Sequence, residues 1–522
     1  MKFNIIALTA RSLTAELEND APFYAAEPYG VLLNGELVLD NKRENIFSLF
    51  GLFPDTEYTL TVRNTQGEHS RTIRTQKEFV KLNVRKFGAS GNGKKADTAA
   101  LQAAIYACPP NGTVYVPAGH YLTGPLFMKS GLTLYLEKDA VLLGLTEPKD
   151  YPILPGMSCR TDDENEEYYL GNYEGHPLDC YASLITGLYA ENISIIGEGT
   201  LDGNAHNAIW WQNPKVKRDA WRPRTVFFNG CKNVLLQGVT VQNSPSWTIH
   251  PCFTDNLRII DVRVYNPTVS PNTDGINPDS CRHVEILGAQ VSVGDDCISA
   301  KSGKIYLGKK YKTPLEDMTV RNCYIKNGHG AVVVGSDIAG GVRSLRVSQC
   351  IFEKTEKGLR IKSRRGRGKD SVVDDIRFRD IVMDQVPVPF VLNMYYFCDP
   401  DGKSEYVWSK EKLPVDDWTP ITGGIKFENI RCTRAEHAAA FFYGLPEAPA
   451  EEISMTNVHV SFEPDAKPGI PAMMSHLEPM VRRGIIAHFV RRLVLKNVTL
   501  SGYEGAPLEM TGVEILEGGV GE

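Results

Sequence analysis

The sequence predicts an all-β protein, a parallel β-helix preceded by a small N-terminal β-sandwich. Three observations predict it. A two-strand template repeats from Asn192 onward: NISIIG from Asn192, NVLLQGVTV from Asn233, NLRIIDVRV from Asn256, HVEILGAQV from His283, DMTVRNCYI from Asp317, SLRVSQCIF from Ser344 and DIRFRDIVM from Asp375. From Asn233 to Asp375 the starts lie 23 to 34 residues apart, the range of stacked repeats. Each unit is two alternating strands meeting at a Gly, Asn or Asp, where the bend needs a residue tolerant of left-handed backbone. One unit cannot bury its apolar face alone, but stacked units share a core. The third observation is the first 78 residues, where alternating runs around 3–8, 30–39 and 58–62 are separated by polar turns.

In chain order, residues 1–78 form the sandwich and 79–522 the β-helix. The stretch from Leu52 through Pro54 and Tyr58 to Val62 resembles the fibronectin type III signature, in which the Tyr anchors a sandwich corner. Beyond a boundary at 76–81, an apolar-periodic run through Leu101, Ile105 and Ala107 reads as a helix, with Asp97 or Thr98 as N-cap. Such a helix would close the open end of a strand stack. Strand-like runs follow at 112–117, 132–136 and 140–143, and looser copies of the template at 425–431, 453–460 and 493–500. Two insertions interrupt the repeats. Residues 146–181 carry an acidic run, Asp162 to Glu167, beside Tyr168, Tyr169 and Tyr173; residues 204–224 carry Trp210, Trp211, Lys215, Lys217, Arg218, Trp221, Arg222 and Arg224. Insertions in repeat proteins decorate the binding face. The acidic run reads as a solvated loop, and the Trp/Arg segment as a candidate cleft wall.

The balance of 42% hydrophobic and 23% charged residues is that of a globular chain, and a net charge of −6 gives no reason to expect a nucleic-acid partner. No apolar run approaches the roughly 20 residues of a membrane span. The start, MKFNIIALTARSLTAELE, reads as a strand rather than a leader, because the apolar run is short and broken by Asn4 and Thr9. Eleven cysteines without C-x-x-C spacing, many in strand-like runs such as those of Cys231, Cys252, Cys281, Cys297, Cys323 and Cys350, suit a reducing compartment. The cytoplasm is the expected location. Oligomeric state is not legible.

Four clusters between residues 272 and 362 carry the chemistry: NTDG from Asn272, GDD from Gly294, GHG from Gly328 and RIK from Arg360. Asp295 and Asp296 are adjacent, so an ideal strand would point them apart, and Gly294 is placed to supply a bulge that brings both to one cleft. Asp274, one coil earlier, would complete a triangle of carboxylates. Like charges at such range raise one pKa and leave a protonated acid beside ionised bases, as glycoside hydrolysis requires. Arg360 and Lys362 are two apart and would share a strand face, and SRRGR from Ser363 adds positive charge, pointing to an anionic ligand.

These motifs, in this order and inside repeating strands, resemble glycoside hydrolase family 28, the polygalacturonases, over roughly residues 79–510. The resemblance implies a right-handed, pectin-lyase-like solenoid that hydrolyses α-1,4-linked galacturonic acid with inversion, without metal or other cofactor. By motif, Asp295 is similar to the general acid, and Asp274 and Asp296 to the pair that activates water. His329 lies beside the acid, and Arg360 and Lys362 resemble the cations that grip galacturonate carboxylates. Asn272, in the motif of Asp274, is expected to bind substrate. The stretch from Pro389 to Tyr396 loosely matches a segment with a substrate-contacting tyrosine, here assigned to Tyr396 over Tyr395. Arg222, Arg224 and the tryptophans of the second insertion are expected to line the pocket. The N-terminal domain resembles the exo-acting bacterial branch, whose groove must be blocked at one end; that domain and the two insertions are expected to block it. The expected partner is pectic oligo- or polygalacturonate, with no nucleic acid or membrane. The alternatives are a hydrolase of rhamnogalacturonan or xylogalacturonan fragments, a calcium-dependent pectate lyase, or a non-catalytic pectin-binding β-helix.

Overall fold

The computed structural model describes residues 1–159 and 167–521. Residues 162–166 of the acidic run lie outside the described residues. The chain is a right-handed parallel β-helix with small antiparallel sheets at its N-terminus.

Three parallel ladders run the length of the helix. One contains Lys232–Gln237, Asp255–Ile260, Arg282–Leu287, Leu315–Arg321 and Val342–Ser348, and a second the short strands Thr240–Gln242, Arg263–Tyr265, Gln290–Ser292 and Tyr324–Lys326. The template junctions between these two take the left-handed backbone that their residue types permit: Gly238 at φ 78, Asp261 at 53, Gly288 at 69 and Asn322 at 53. In-register side chains stack into one core. Val234, Leu257, Val284, Met318, Leu345 and Ile376 occupy successive coils at one register position, all fully or almost fully buried. Each such side chain contributes about 1.5–3 kcal/mol of burial, so the core stabilises the stack only as neighbours accumulate.

The helix Thr98–Ala107 buries Leu101, Ala104 and Ile105 at the N-terminal end of the stack. Asp97 stands at its N-cap position but does not cap it. Its carboxylate accepts from Ser90 N at 2.7 Å and Gly91 N at 2.9 Å, so it pins the preceding loop.

At the N-terminus, strands Phe3–Leu8, Ser12–Leu17 and Ile46–Phe50 form one sheet, and Glu36–Glu44, Tyr24–Leu33, Glu57–Asn64 and Gly67–Arg74 another. The run at 30–39 is two strands, because Asn34 and Gly35 take positive φ of 52° and 86° and reverse the chain. Tyr58 is buried, and its hydroxyl accepts from Phe53 N at 2.9 Å. These sheets pack on the junctions between the first two ladders. Glu16 forms a two-pronged pair with Arg321 at 2.8 Å, Gln237 bonds Ser12 and Thr14, and Ile46 and Ala7 pack on Ile260 and Leu287. The eleven cysteines are all unpaired, nine of them buried.

Candidate active site

The third ladder positions the site. Strand Ile249–Cys252 is followed across the ladder by bridges at Ile276 and Asp279, then by Asp296–Ala300, Gly330–Gly335, Lys357–Lys362 and Val388–Asn393. The carboxylates stand where chains enter these strands. Asp274 is held by its backbone between neighbouring coils: its carbonyl accepts from Thr248 N at 2.8 Å, and Gly275 N donates to Asp296 O at 3.0 Å. Asp296 opens its strand, whereas Asp295 lies in the turn before it. The expected bulge is therefore unnecessary: a residue outside the strand is free of the alternation that would have turned it away.

A cavity of about 640 Å³ gathers Asn272, Asp274, Asp295, Asp296, His329, Arg360, Lys362 and Tyr396. The nearest side-chain oxygens of the three aspartates lie within 4.8 Å of one another. Arg360 Nη1 lies 3.1 Å from Asp296 Oδ1, and Lys362 Nζ 2.5 Å from Oδ2. Between Arg360 and Lys362, Ile361 points into the core, as strand alternation requires. Burial would raise the Asp296 carboxyl, but Lys362 and Arg360 outweigh it and hold it far below the usual range. Burial and Asp295 push Asp274 upward; burial and Asp296 push Asp295 upward. One carboxylate is thus locked as an anion and two compete for a proton.

Several cavity residues escaped the sequence reading. Lys301 Nζ sits 3.4 Å from both Asp274 and Asp337, with Trp247 beneath it at 4.1 Å. Its signal was the repeat register: Ala300 pairs with Val334 and Lys362 with Gly335, so Lys301 directly follows a residue aligned one step before the Lys362 position. Lys304 extends the alternation of charge, 3.6 Å from Asp337 and 3.6 Å from Asp399. Glu356, on the coil after His329, bonds its Nδ1 at 2.8 Å. Tyr396 faces the cavity, with Lys362 Nζ 5.6 Å from its ring centre, while Tyr395 is fully buried under Lys410 and Arg365.

Four expectations are corrected. Arg222 and Arg224 are not part of the cavity lining; both are buried and occupied by neighbouring protein groups, mainly backbone carbonyls. Arg222 donates to Pro245 O at 2.9 Å and to Asn272 Oδ1 at 2.7 Å, and Arg224 to Arg222 O at 2.9 Å and Asn172 O at 2.5 Å. The tryptophans at 210, 211 and 221 are wall packing: Trp210 is buried against Tyr151 and Tyr181, and Trp221 stacks on Tyr173 at 4.3 Å. Arg364, Arg365 and Arg367 are buried and paired with Asp399, Asp401 and Glu447, so they fasten loops and offer nothing to an anion. The N-terminal sheets likewise contribute no residue to the cavity lining, which runs from Glu174 to Met473.

The two insertions meet each other instead. Trp221 N donates to Asp179 O at 2.9 Å, Tyr181 N to Trp221 O at 2.9 Å, and the insertions place Glu174 and Lys215 on the cavity rim. Across the cavity, Ile470, Ala472 and Met473 form an apolar side, with Met473 Sδ 2.9 Å from Arg360 Nη2.

A parallel β-helix holding three carboxylates in a cation-lined cavity has the architecture of a glycoside hydrolase. Residues 172–470 match Glycosyl hydrolases family 28, and residues 81–137 match a second description, Rhamnogalacturonase A/epimerase, pectate lyase-like. The chain belongs to glycosyl hydrolases family 28. It is 30% identical over 391 residues to a probable polygalacturonase of Vitis vinifera, covering 73% of this chain and 74% of that one. It is 26% identical to an exo-poly-alpha-D-galacturonosidase of Dickeya chrysanthemi, covering 71% and 67%. An endo-polygalacturonase of Pectobacterium carotovorum is 28% identical, covering 79% and 93%. Among solved structures, a family 28 exopolygalacturonase of Yersinia enterocolitica shares the fold at a TM-score of 0.69 and 20% identity, covering 100% of this chain and 98% of that one.

Proposed function

We propose that the protein is an exo-acting polygalacturonase that hydrolyses α-1,4-galacturonosidic bonds with inversion. The observation that carries the reading is the geometry of the triad: the nearest oxygens of Asp274, Asp295 and Asp296 lie within 4.8 Å of one another, and Arg360 and Lys362 pair with Asp296 and hold it as an anion, while burial and neighbouring carboxylates push Asp274 and Asp295 upward. Asp295, at the cavity edge of the pair, gives its proton to the glycosidic oxygen as the bond to the anomeric carbon breaks. Asp274, ionised when Asp295 holds the proton, takes a proton from water as that water attacks the same carbon. Asp296 orients the water but is too acidic to be the main base.

The carboxylate spacing stands against the usual rule, since inverting pairs commonly lie about 6.5–9.5 Å apart. Inversion is favoured here because Asp274 and Asp296 are both tied to cations, which weakens each as a nucleophile. Nuclear magnetic resonance of the first-formed anomer decides it.

Lys301, Arg360 and Lys362 already supply positive charge to the triad, so a divalent ion is not required there. This argues against the calcium-lyase alternative, and activity is expected to persist in EDTA without an unsaturated product. The same cations, with Lys304 and Lys215 on the cavity lining, favour galacturonate over a neutral sugar. The residues matching the rhamnogalacturonase description, 81–137, lie outside the cavity and do not bear on its choice of sugar. Exo-action is supported by the joined insertions at the rim and by exo-acting relatives. We read residues 1–78 as a fibronectin type III-like unit that braces the coils. Hydrolysis of end-labelled oligogalacturonides, followed by chromatography, tests the activity and its direction together.

A further inference from the structure

We propose that Glu356 is a positioning residue for His329, fixing the ring and its Nδ1–H so that Nε2 is the nitrogen presented to the reacting groups. This rests on the catalytic reading above and deepens it. His329 is tethered on two sides. Its backbone N donates to Asp295 O at 3.1 Å, and the preceding Gly328, at φ 77, has no room for a side chain because a Cβ would meet Asp295 O at 2.5 Å. That closeness binds the turn carrying the imidazole to the proposed acid.

The other tether is Glu356. Its backbone N donates to Gly328 O at 3.0 Å, which registers the two coils, and its Oε1 takes the His329 Nδ1 contact at 2.8 Å. The second carboxylate oxygen lies 3.4 Å from Lys357 Nζ, so the side chain is held from behind as well. A ring whose Nδ1 donates to a carboxylate is fixed in tautomer, and any positive charge it acquires is stabilised. The charged groups facing this pair are Asp295 and Asp296 from the preceding coil, Lys357 and Arg360 from the strand after Glu356, and His437 beyond it. Hydrogen bonding to Glu356 raises the His329 pKa first, and Asp295 and Asp296 add to it. Burial would raise Glu356, but His329 and Lys357 hold it down to about 2. The imidazolium therefore persists to higher pH than an ordinary histidine and faces Asp295 as that group becomes an anion in the reaction.

The test uses Glu356→Gln, which keeps the shape but loses the charge, together with His329→Ala and the double variant. In Glu356→Gln, the His329 titration followed by nuclear magnetic resonance should move to lower pH. The alkaline limb of kcat should move the same way, with KM within about twofold and kcat down roughly 10- to 100-fold. The double variant should be no worse than His329→Ala alone, because the two act as a unit. An unmoved His329 titration, or losses that multiply in the double variant, would overturn the proposal. If the wild-type protein hydrolyses no galacturonan, the proposed function fails, and the titration still judges the contact independently.

Discussion

Lys301 Nζ lies 3.4 Å from Asp274 Oδ2, with both side chains only 4% exposed. The same ammonium holds Asp337, which Lys304 and Lys301 keep down to about 2 despite burial. One buried cation thus joins the proposed base to the charged network under the loop carrying Asp399. Lys301→Met should leave two buried carboxylates short of a partner, a change that typically costs about 3–5 kcal/mol. Lys301 favours ionised Asp274, so its loss raises the Asp274 pKa further. The acid limb of kcat/KM should then move to higher pH, because a base works only when deprotonated. A pH–rate profile and a thermal melt read both effects; an unchanged limb and an unchanged Tm would remove Lys301 from the mechanism.

Asp295→Asn should abolish nearly all hydrolysis while leaving oligogalacturonide binding largely intact. An amide cannot protonate the leaving oxygen, and acid catalysis typically contributes about 10²- to 10⁴-fold. Calorimetric binding to the inactive variant separates the two effects. Activity within threefold of wild type would sink the assignment.

Lys362→Met should harm both acidic and methyl-esterified substrates, and the acidic ones more. The sequence alone suggests a purely substrate-facing cation, but in the structure Lys362 and Arg360 also hold Asp296 ionised. Losing Lys362 therefore weakens the carboxylate grip and raises the Asp296 pKa together. The first effect is worth roughly 10- to 100-fold on acidic substrate. Kinetics on both substrates across pH distinguish them: a loss confined to the acidic one would mean that Asp296 does not depend on Lys362.

The strand template, its left-handed junctions and the four motif clusters were legible because each is local. A bend at Gly238 or Asn322 declares itself by residue type, and Arg360 and Lys362 share a face by simple alternation. The partners across coils were not. Arg364, Arg365 and Arg367 look like an anion site until Asp399, Asp401 and Glu447 arrive from 32 to 82 residues away. Arg222 and Arg224 misled for the same reason, since most of their acceptors are backbone carbonyls that carry no sequence signal, and the side chains that Arg222 meets, Tyr173 and Asn272, lie about 50 residues away. Lys301 was the reverse case. Its meaning lies in stacking register, which becomes readable only once strands are aligned coil by coil.

Exo-action should depend on the joint between the insertions. Tyr173 and Trp221 stack at 4.3 Å and 14°, and the Tyr173 hydroxyl accepts from Arg222, which also holds Asn272 at the cavity. The stack contributes about 0.5–1.5 kcal/mol beyond area burial, enough to set the wall without governing the fold. The β-helix core lies elsewhere, so Trp221→Ala should lower Tm only modestly while loosening the rim that carries Glu174 and Lys215. Wild-type protein should release small products from the first minutes while polygalacturonate viscosity falls slowly. In Trp221→Ala, products should shift toward longer oligomers and viscosity should fall faster for the same number of bonds cut. The N-terminal sheets pack on the Gln237 and Arg321 side and give the cavity no residue, so loosening their contact through Glu16→Ala should leave the product pattern unchanged. Early mid-sized fragments from the intact enzyme would defeat the exo reading. A product shift in Glu16→Ala equal to that in Trp221→Ala would defeat the assignment of direction to the insertions.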